Sequence, residues 1–231
     1  MINPAPNAPR ARPARLGRLL LVALAVSASG VLGGCVALAG GAVVGGATMV
    51  VDRRTTGTQI DDQTIEVRAA SAVTAALGDR GNVSATSYNR VVLLTGEVPT
   101  EADRSKVEAA VAKVENVRAV VNELAVMPNS SMTQRTNDSI TTGKVKAALF
   151  DAKGIQAAAI KVVTDRGNTY LMGLVTDSES TIAGNTARTV PGVTKVIKMF
   201  EIITPAELAQ MPAAPAPAAA PAAAPASAAK P

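Results

Sequence analysis

The sequence has no histidine. That excludes Ser-His-Asp and Cys-His nucleophiles and any His-ligated metal site. It has one cysteine, Cys35, so an internal disulfide is impossible and the residue needs another explanation. Aromatic residues are almost missing: two Tyr, two Phe and no Trp. Any core must be built from Val, Ile, Leu, Ala and Met, and the resulting domains should be modestly stable. Acidic residues are absent before Cys35, where Arg10, Arg12, Arg15 and Arg18 lie. Of the 23 basic residues, 19 therefore follow Cys35, against 18 acidic ones, so the formal charge of +5 belongs almost wholly to the leader. The rest is near neutral and lacks the basic stripe that nucleic-acid binding requires. Glu97, Glu101 and Asp103 stand close together, but carboxylates are expected at a helix start. No nucleophile, base and oxyanion donor assemble, so no enzyme activity, cofactor or metal site is expected.

What is present begins with an address. Residues 1–34 read as a cleaved leader: a basic stretch, then the short apolar run Leu19 to Val26. The run is too short for a comfortable membrane span. Leu32-Gly33-Gly34-Cys35 resembles the lipobox of bacterial lipoproteins, which implies diacylglyceryl transfer to the Cys35 sulfur, cleavage before it and acylation of the new amine. Val36 follows rather than Asp, which by resemblance to enteric sorting rules favours the outer membrane. Residues 35–56 are expected to form the lipidated cysteine and a Gly/Ala-rich tether. Gly41 and Gly45 have the spacing of a membrane helix-pairing motif, but so many glycines make a poor span.

The middle of the chain holds an internal repeat. Leu94-Thr95-Gly96-Glu97-Val98 answers Leu171-Met172-Gly173-Leu174-Val175, and Asp62 answers Asp138. Each copy reads helix, strand, strand, helix, strand. In the first, Asp61 or Asp62 is placed to cap a helix whose apolar positions include Ile65, Ala69, Val73, Ala76 and Leu77. Val83 to Ser87 and Val91 to Gly96 form a hairpin turning near Asn89-Arg90. Thr100 starts a second helix, and Val117 to Val126 is the last strand. In the second copy Asp138 caps, Asp165-Arg166-Gly167-Asn168 turns the hairpin, and Thr176 with Glu179 makes a capping-box pattern. Gly96 and Gly173, inside strands, mark a bulge or a close backbone approach.

The expected fold class is α+β: two tandem αββαβ units, each a three-stranded mixed sheet packed on two helices. With its L-x-G-x-V and G-V-x-x-V strands, the unit resembles the BON domain, over residues 57–204. The duplication and the lipobox make the chain similar to the dual-BON outer-membrane lipoprotein family. The boundaries read as 57–127 for the first domain, 128–136 for a linker, and 137–204 for the second domain. Residues 205–231 read as a disordered Ala/Pro-rich tail. The resemblance implies attachment at the periplasmic face of the outer membrane, anionic phospholipid binding and a role in envelope integrity.

A partner surface is expected on the first helix of the second copy. Its core side is centred on Val145, and its opposite side presents Ile140, Gly143, Ala147 and Phe150. Lys144 and Lys146 flank that stripe and Lys153 follows it. An apolar stripe edged by lysines suits an interfacial helix, which needs contact with both acyl chains and phosphates. Equally open is that Ile140 and Phe150 pack against the other copy. The first copy offers Thr64, Val67, Ser71 and Thr74 with only Arg68 beside them. The expected partners are the membrane through Cys35, anionic phospholipids and, as an alternative function, envelope proteins bound by a tethered scaffold.

Overall fold

The computed structural model describes residues 52–211. The leader, Cys35, most of the tether and residues 212–231 lie outside the described residues. Domain 1 consists of α1 (Thr56–Leu77), β1 (Asn82–Tyr88), β2 (Val91–Val98), α2 (Glu101–Val111), β3 (Ala119–Asn122) and β4 (Ala125–Val126). Domain 2 consists of α3 (Met132–Asp151), a 3-10 turn (Ala157–Ala159), β5 (Ile160–Asp165), β6 (Asn168–Val175), α4 (Asp177–Arg188) and β7 (Lys195–Ile202). A short α5 (Pro205–Gln210) follows. In each domain the first two strands pair antiparallel, and the strand after the second helix joins them parallel. The α+β class and the duplicated topology agree with the sequence reading.

Both first helices start earlier than expected, which corrects the capping assignment and the linker. The side chain of Thr55 caps α1 by accepting from the Thr58 N–H, and Ser131 caps α3 by accepting from the Gln134 N–H. Asp62 and Asp138 lie well inside their helices and are buried. Most of the expected linker is therefore helix, and only residues 128–131 remain as a connection. The capping box at Thr176 and Glu179 is formed as expected.

Inside each helix the aspartate holds the neighbouring hairpin. Asn89 and Arg90 both have positive φ, at 49° and 64°. This is the backbone of a tight primed turn, which is strained for non-glycine residues. The Asp62 carboxylate accepts from the N–H groups of both turn residues at 2.8 Å and from the Ser87 hydroxyl at 2.6 Å. Asp138 likewise accepts from the N–H groups of Arg166 and Gly167 at 3.0 and 2.9 Å. A helical aspartate has poor local propensity, but here it compensates a strained turn across the core.

The helix-facing cores are aliphatic, as the composition requires. In domain 1, Ile65, Ala69 and Val73 of α1 and Val107 and Val111 of α2 pack on Val92, Leu94 and Val98 of β2. In domain 2, Val145 and Leu149 of α3 and Ala183 and Ala187 of α4 pack on Ile160, Val162, Leu171 and Val175. Alternate residues of the central strands point the other way, and those faces are buried too. Tyr88 and Leu93 meet Tyr170, Met172, Leu174 and Ile203 in a third cluster between the two sheets. The Tyr88 hydroxyl donates to the Ala159 carbonyl at 3.1 Å and accepts from the Leu174 N–H at 3.3 Å. Two-sided burial accounts for the unbroken apolar stretches Val91 to Leu94 in β2 and Tyr170 to Met172 in β6.

Two further expectations change. The last strand of domain 1 is interrupted: the Asn122 side chain accepts from the Leu124 N–H, and Leu124 turns into the core between β3 and β4. The tail is not disordered from its first residue. Thr204 and Glu207 form a capping box that starts α5, and Leu208 and Met211 pack against the inter-sheet cluster.

Candidate functional site

The α3 helix sets its two sides apart by simple periodicity. Asp138, Thr141, Val145 and Leu149 are buried. On the opposite side Ile140 is 51% exposed and Phe150 72% exposed. Gly143, Lys144, Lys146 and Ala147 are exposed between them, and Lys153 is exposed just past the helix end. Neither Ile140 nor Phe150 packs against domain 1, because the two domains meet through their sheets. The structure thus brings Ile140, Lys144, Lys146, Ala147 and Phe150 onto one open surface with Lys153 at its end. Cys35 lies outside the described residues.

The stripe is longer than the sequence suggested. Met132, 73% exposed, continues it by two turns toward the helix start. Sequence reading missed it because the residue fell in the expected linker. Met132, Ile140, Gly143, Ala147 and Phe150 span about 80° of the helix circumference at 100° per residue. Lys144 flanks the stripe on one side and Lys146 on the other. Asp151 is the acid in the last turn, on the Lys144 side.

Among the described residues, none of Lys144, Lys146 and Lys153 forms an ion pair. Domain 1 differs on this point. Its α1 also exposes apolar residues, Ile60 and Val67, at 58% and 69%. The cation beside them, Arg68, is paired with Glu115. The hydroxyls of Thr64, Ser71 and Thr74 on this side donate to the helix's own carbonyls. The α1 surface is therefore apolar and hydroxylic, with no unpaired cation along the stripe.

Sequence reading also missed the residues that join the tether to the fold. Arg53 and Arg54, within the expected tether, diverge to the two domains. Arg53 donates twice to the Glu179 carboxylate, both at 2.7 Å, and once to the Leu174 carbonyl at 2.9 Å. Arg54 pairs with Asp52 and Asp62, each at 2.6 Å, and its guanidinium lies 4.2 Å from the Tyr88 ring centroid. The chain thus enters the folded unit at a fixed point. Only the long-range partners reveal this, and no local pattern around residues 52–54 signals it.

Burial alone would raise the Glu179 carboxyl, but the Arg53 guanidinium and the Thr176 N–H hold it at about 2, below its ordinary 4.5. A folded value below the unfolded one gives stability that is present above the ordinary range and lost as pH falls through it toward 2. A difference of this size corresponds to about 3 kcal/mol. Asp62, Glu97 and Glu201 are lowered as well, so they add to the same acid limb. Thermal unfolding followed from about pH 6 to about pH 3 should show a steep loss of Tm. In Arg53→Ala the Tm should be lower at neutral pH and its fall with acid shallower. A parallel shift of the whole curve would show that Arg53 does not govern Glu179.

Among the described residues, no group of three His, Cys, Asp or Glu side chains is placed to hold a metal ion. No described helix is long and apolar enough to cross a membrane.

Comparison with known proteins gives consistent matches. The family model described as the BON domain matches residues 61–128 and 137–204. The chain is 40% identical over 192 residues to the outer membrane lipoprotein DolP of Haemophilus influenzae, covering 81% of this chain and 98% of that protein. It is 32% identical over 158 residues to the 21 kDa hemolysin of Actinobacillus pleuropneumoniae, covering 68% and 81%. It is 30% identical over 148 residues to the osmotically-inducible protein Y of Escherichia coli, covering 61% and 72%.

Proposed function

We propose, for a chain that belongs to the BON-domain family and is an outer-membrane lipoprotein, that domain 2 binds anionic phospholipid through the exposed side of α3 and so supports envelope integrity without catalysis. In this reading the leader is removed, Cys35 carries the acyl chains, and α3 supplies a second contact with the same membrane. One observation carries it: the open Ile140–Phe150 stripe is edged by lysines that have no partner among the described residues. Apolar side chains there reach the acyl boundary while the ammonium groups meet lipid phosphates.

Magnitudes favour a weak second contact. Each lysine near an anionic surface contributes about 1 kcal/mol, so the helix alone binds loosely. No Trp or Tyr lies on the stripe to strengthen it. A tethered domain does not need tight binding, because the anchor raises its effective concentration at the membrane.

The test uses the processed chain, residues 35–231, with Cys35→Ala, so that neither the leader nor an acyl anchor masks the domain's own affinity. It should co-sediment with phosphatidylglycerol vesicles, and less so as salt rises. Lys144→Glu with Lys146→Glu should weaken that binding at least tenfold. Equal sedimentation of parent and double variant sinks the proposal. A protein scaffold is the second reading, and the exposed Ile60 and Val67 on α1 favour it. Its signature is capture of one envelope protein by the Cys35→Ala chain, abolished by Val67→Asp.

A further inference from the structure

The lower end of α3 borders a cleft that the exposed stripe does not account for. It has a volume of about 230 Å³ and is lined by Lys146, Leu149 and Phe150 of α3, Ala157 and Ala158 of the 3-10 turn, and Ile160 and Val162 of β5. Lys146 is the single charged residue in the lining. Phe150 stands at the rim, exposed, and belongs also to the outer stripe.

The internal repeat shows why the cleft is there. Gly96 and Gly173 occupy matching registers, opposite Val83 and Ile160. Counting back from these strand partners, Gly81 matches Ala158. Measured from Asp62 and Asp138, α3 ends two residues sooner than α1. In domain 1 the last helical residue, Leu77, is buried and fills the corner. A Cβ built on Gly81 would lie 2.6 Å from Leu77 Cδ2. In domain 2 the residue matching Leu77 is Lys153, which is exposed beyond the helix end. Short alanine side chains floor the space instead. Domain 2 therefore leaves a cleft at the place that Leu77 closes in domain 1, beside lysines that have no ion-pair partner among the described residues.

An apolar slot with one ammonium at its mouth suits an amphiphile with an anionic head and a hydrocarbon tail. The slot continues into the membrane-facing stripe through Phe150. We infer that this cleft takes the upper part of one acyl chain of an anionic phospholipid, with Lys146 at the phosphate and Ile160 and Val162 against the methylenes. The inference rests on the membrane-binding reading of α3 but goes further. It makes domain 2 a receptor for individual lipid molecules rather than only a surface-lying helix.

The experiment titrates the processed chain, residues 35–231 carrying Cys35→Ala, methyl-labelled, with dihexanoyl phosphatidylglycerol kept below its micelle concentration. Glycerophosphoglycerol, which has the head but no chains, is titrated in parallel. Saturable shifts of the Leu149, Ile160 and Val162 methyls with the chain-bearing lipid, and none with the head alone, are expected. Ala158→Leu, which fills the slot, should weaken that binding at least tenfold and change vesicle sedimentation less than twofold. Shifts confined to the Ile140 and Ala147 methyls of the stripe, with the buried methyls unmoved, overturn the slot and leave the helix reading standing. If the lipid shifts nothing and vesicles do not sediment the protein, both readings fall. Should Ala158→Leu fail to fold, the parent titration decides alone.

Discussion

Gly96→Ala is expected to destabilise the protein by about 4 kcal/mol or more, the range reserved for substitutions that break a defined structural requirement. Two conditions at Gly96 exclude a side chain. Its φ is +114°, a conformation that L residues rarely adopt, and an added Cβ would lie 1.9 Å from the Asn82 carbonyl oxygen. That oxygen belongs to β1, so relief requires the paired strand to move. Glu97 next to it is fully buried and accepts from the Ser130 N–H and hydroxyl and from Asn82. Moving β1 would break this group of hydrogen bonds as well. Urea unfolding of the full chain measures the loss. Gly143→Ala is the control, because nothing lies within 4 Å of its added Cβ and it sits in a helix. It should gain about 1 kcal/mol from helix propensity. A Gly96→Ala protein within about 1 kcal/mol of the parent would mean that the strand pairing is wrongly placed.

Asp62→Ala is expected to cost about 3–5 kcal/mol, the usual cost of removing one partner from a buried charged pair. Four groups lose Asp62 as acceptor together: the Ser87 hydroxyl, the N–H groups of Asn89 and Arg90, and the Arg54 guanidinium, which keeps only Asp52. Two of these donors belong to residues at positive φ, so the turn also loses what offsets its strain. Asp138→Ala removes the two matching turn bonds in domain 2, but among the described residues neither an arginine side chain nor a hydroxyl pairs with Asp138. Its cost should be smaller, about 2 kcal/mol. The comparison by denaturant unfolding measures what the Arg54 guanidinium and the Ser87 hydroxyl add together. Equal losses at the two positions would show that they add nothing.

The parts of the fold that were legible in the sequence depend on local rules. Helical spacing gave Ile65, Ala69 and Val73 their inward side, and Thr176 with Glu179 announced its own capping box. The duplicated L-x-G-x-V strands located both hairpins. Parts that depend on distant partners were not legible. Asp62 and Asp138 looked like caps because an aspartate before an apolar periodic run usually is one. Their true partners are turn amides 27 to 29 residues further along the chain. Packing of sheet on sheet left only an indirect trace, the lack of alternation in β2 and β6. At the candidate site, Ile140, Lys144, Lys146, Ala147 and Phe150 could be placed by angle alone. Whether the other domain covered them could not, because that depends on the inter-sheet cluster around Tyr88 and Tyr170. Met132 and the strap at Arg53 and Arg54 were missed because each was assigned to a connecting segment.

The proposed division of labour between the repeats is the central claim: α3, whose lysines have no ion-pair partner among the described residues, is the helix proposed to face the membrane, and α1 is not. Amide chemical-shift mapping of the processed chain, residues 35–231 with Cys35→Ala, in phosphatidylglycerol bicelles tests it most directly. Perturbations should concentrate on residues 138–153 of α3, and Ile60, Thr64, Val67 and Ser71 of α1 should stay unmoved. Equal perturbation of both helices, or perturbation of α1 alone, would contradict it.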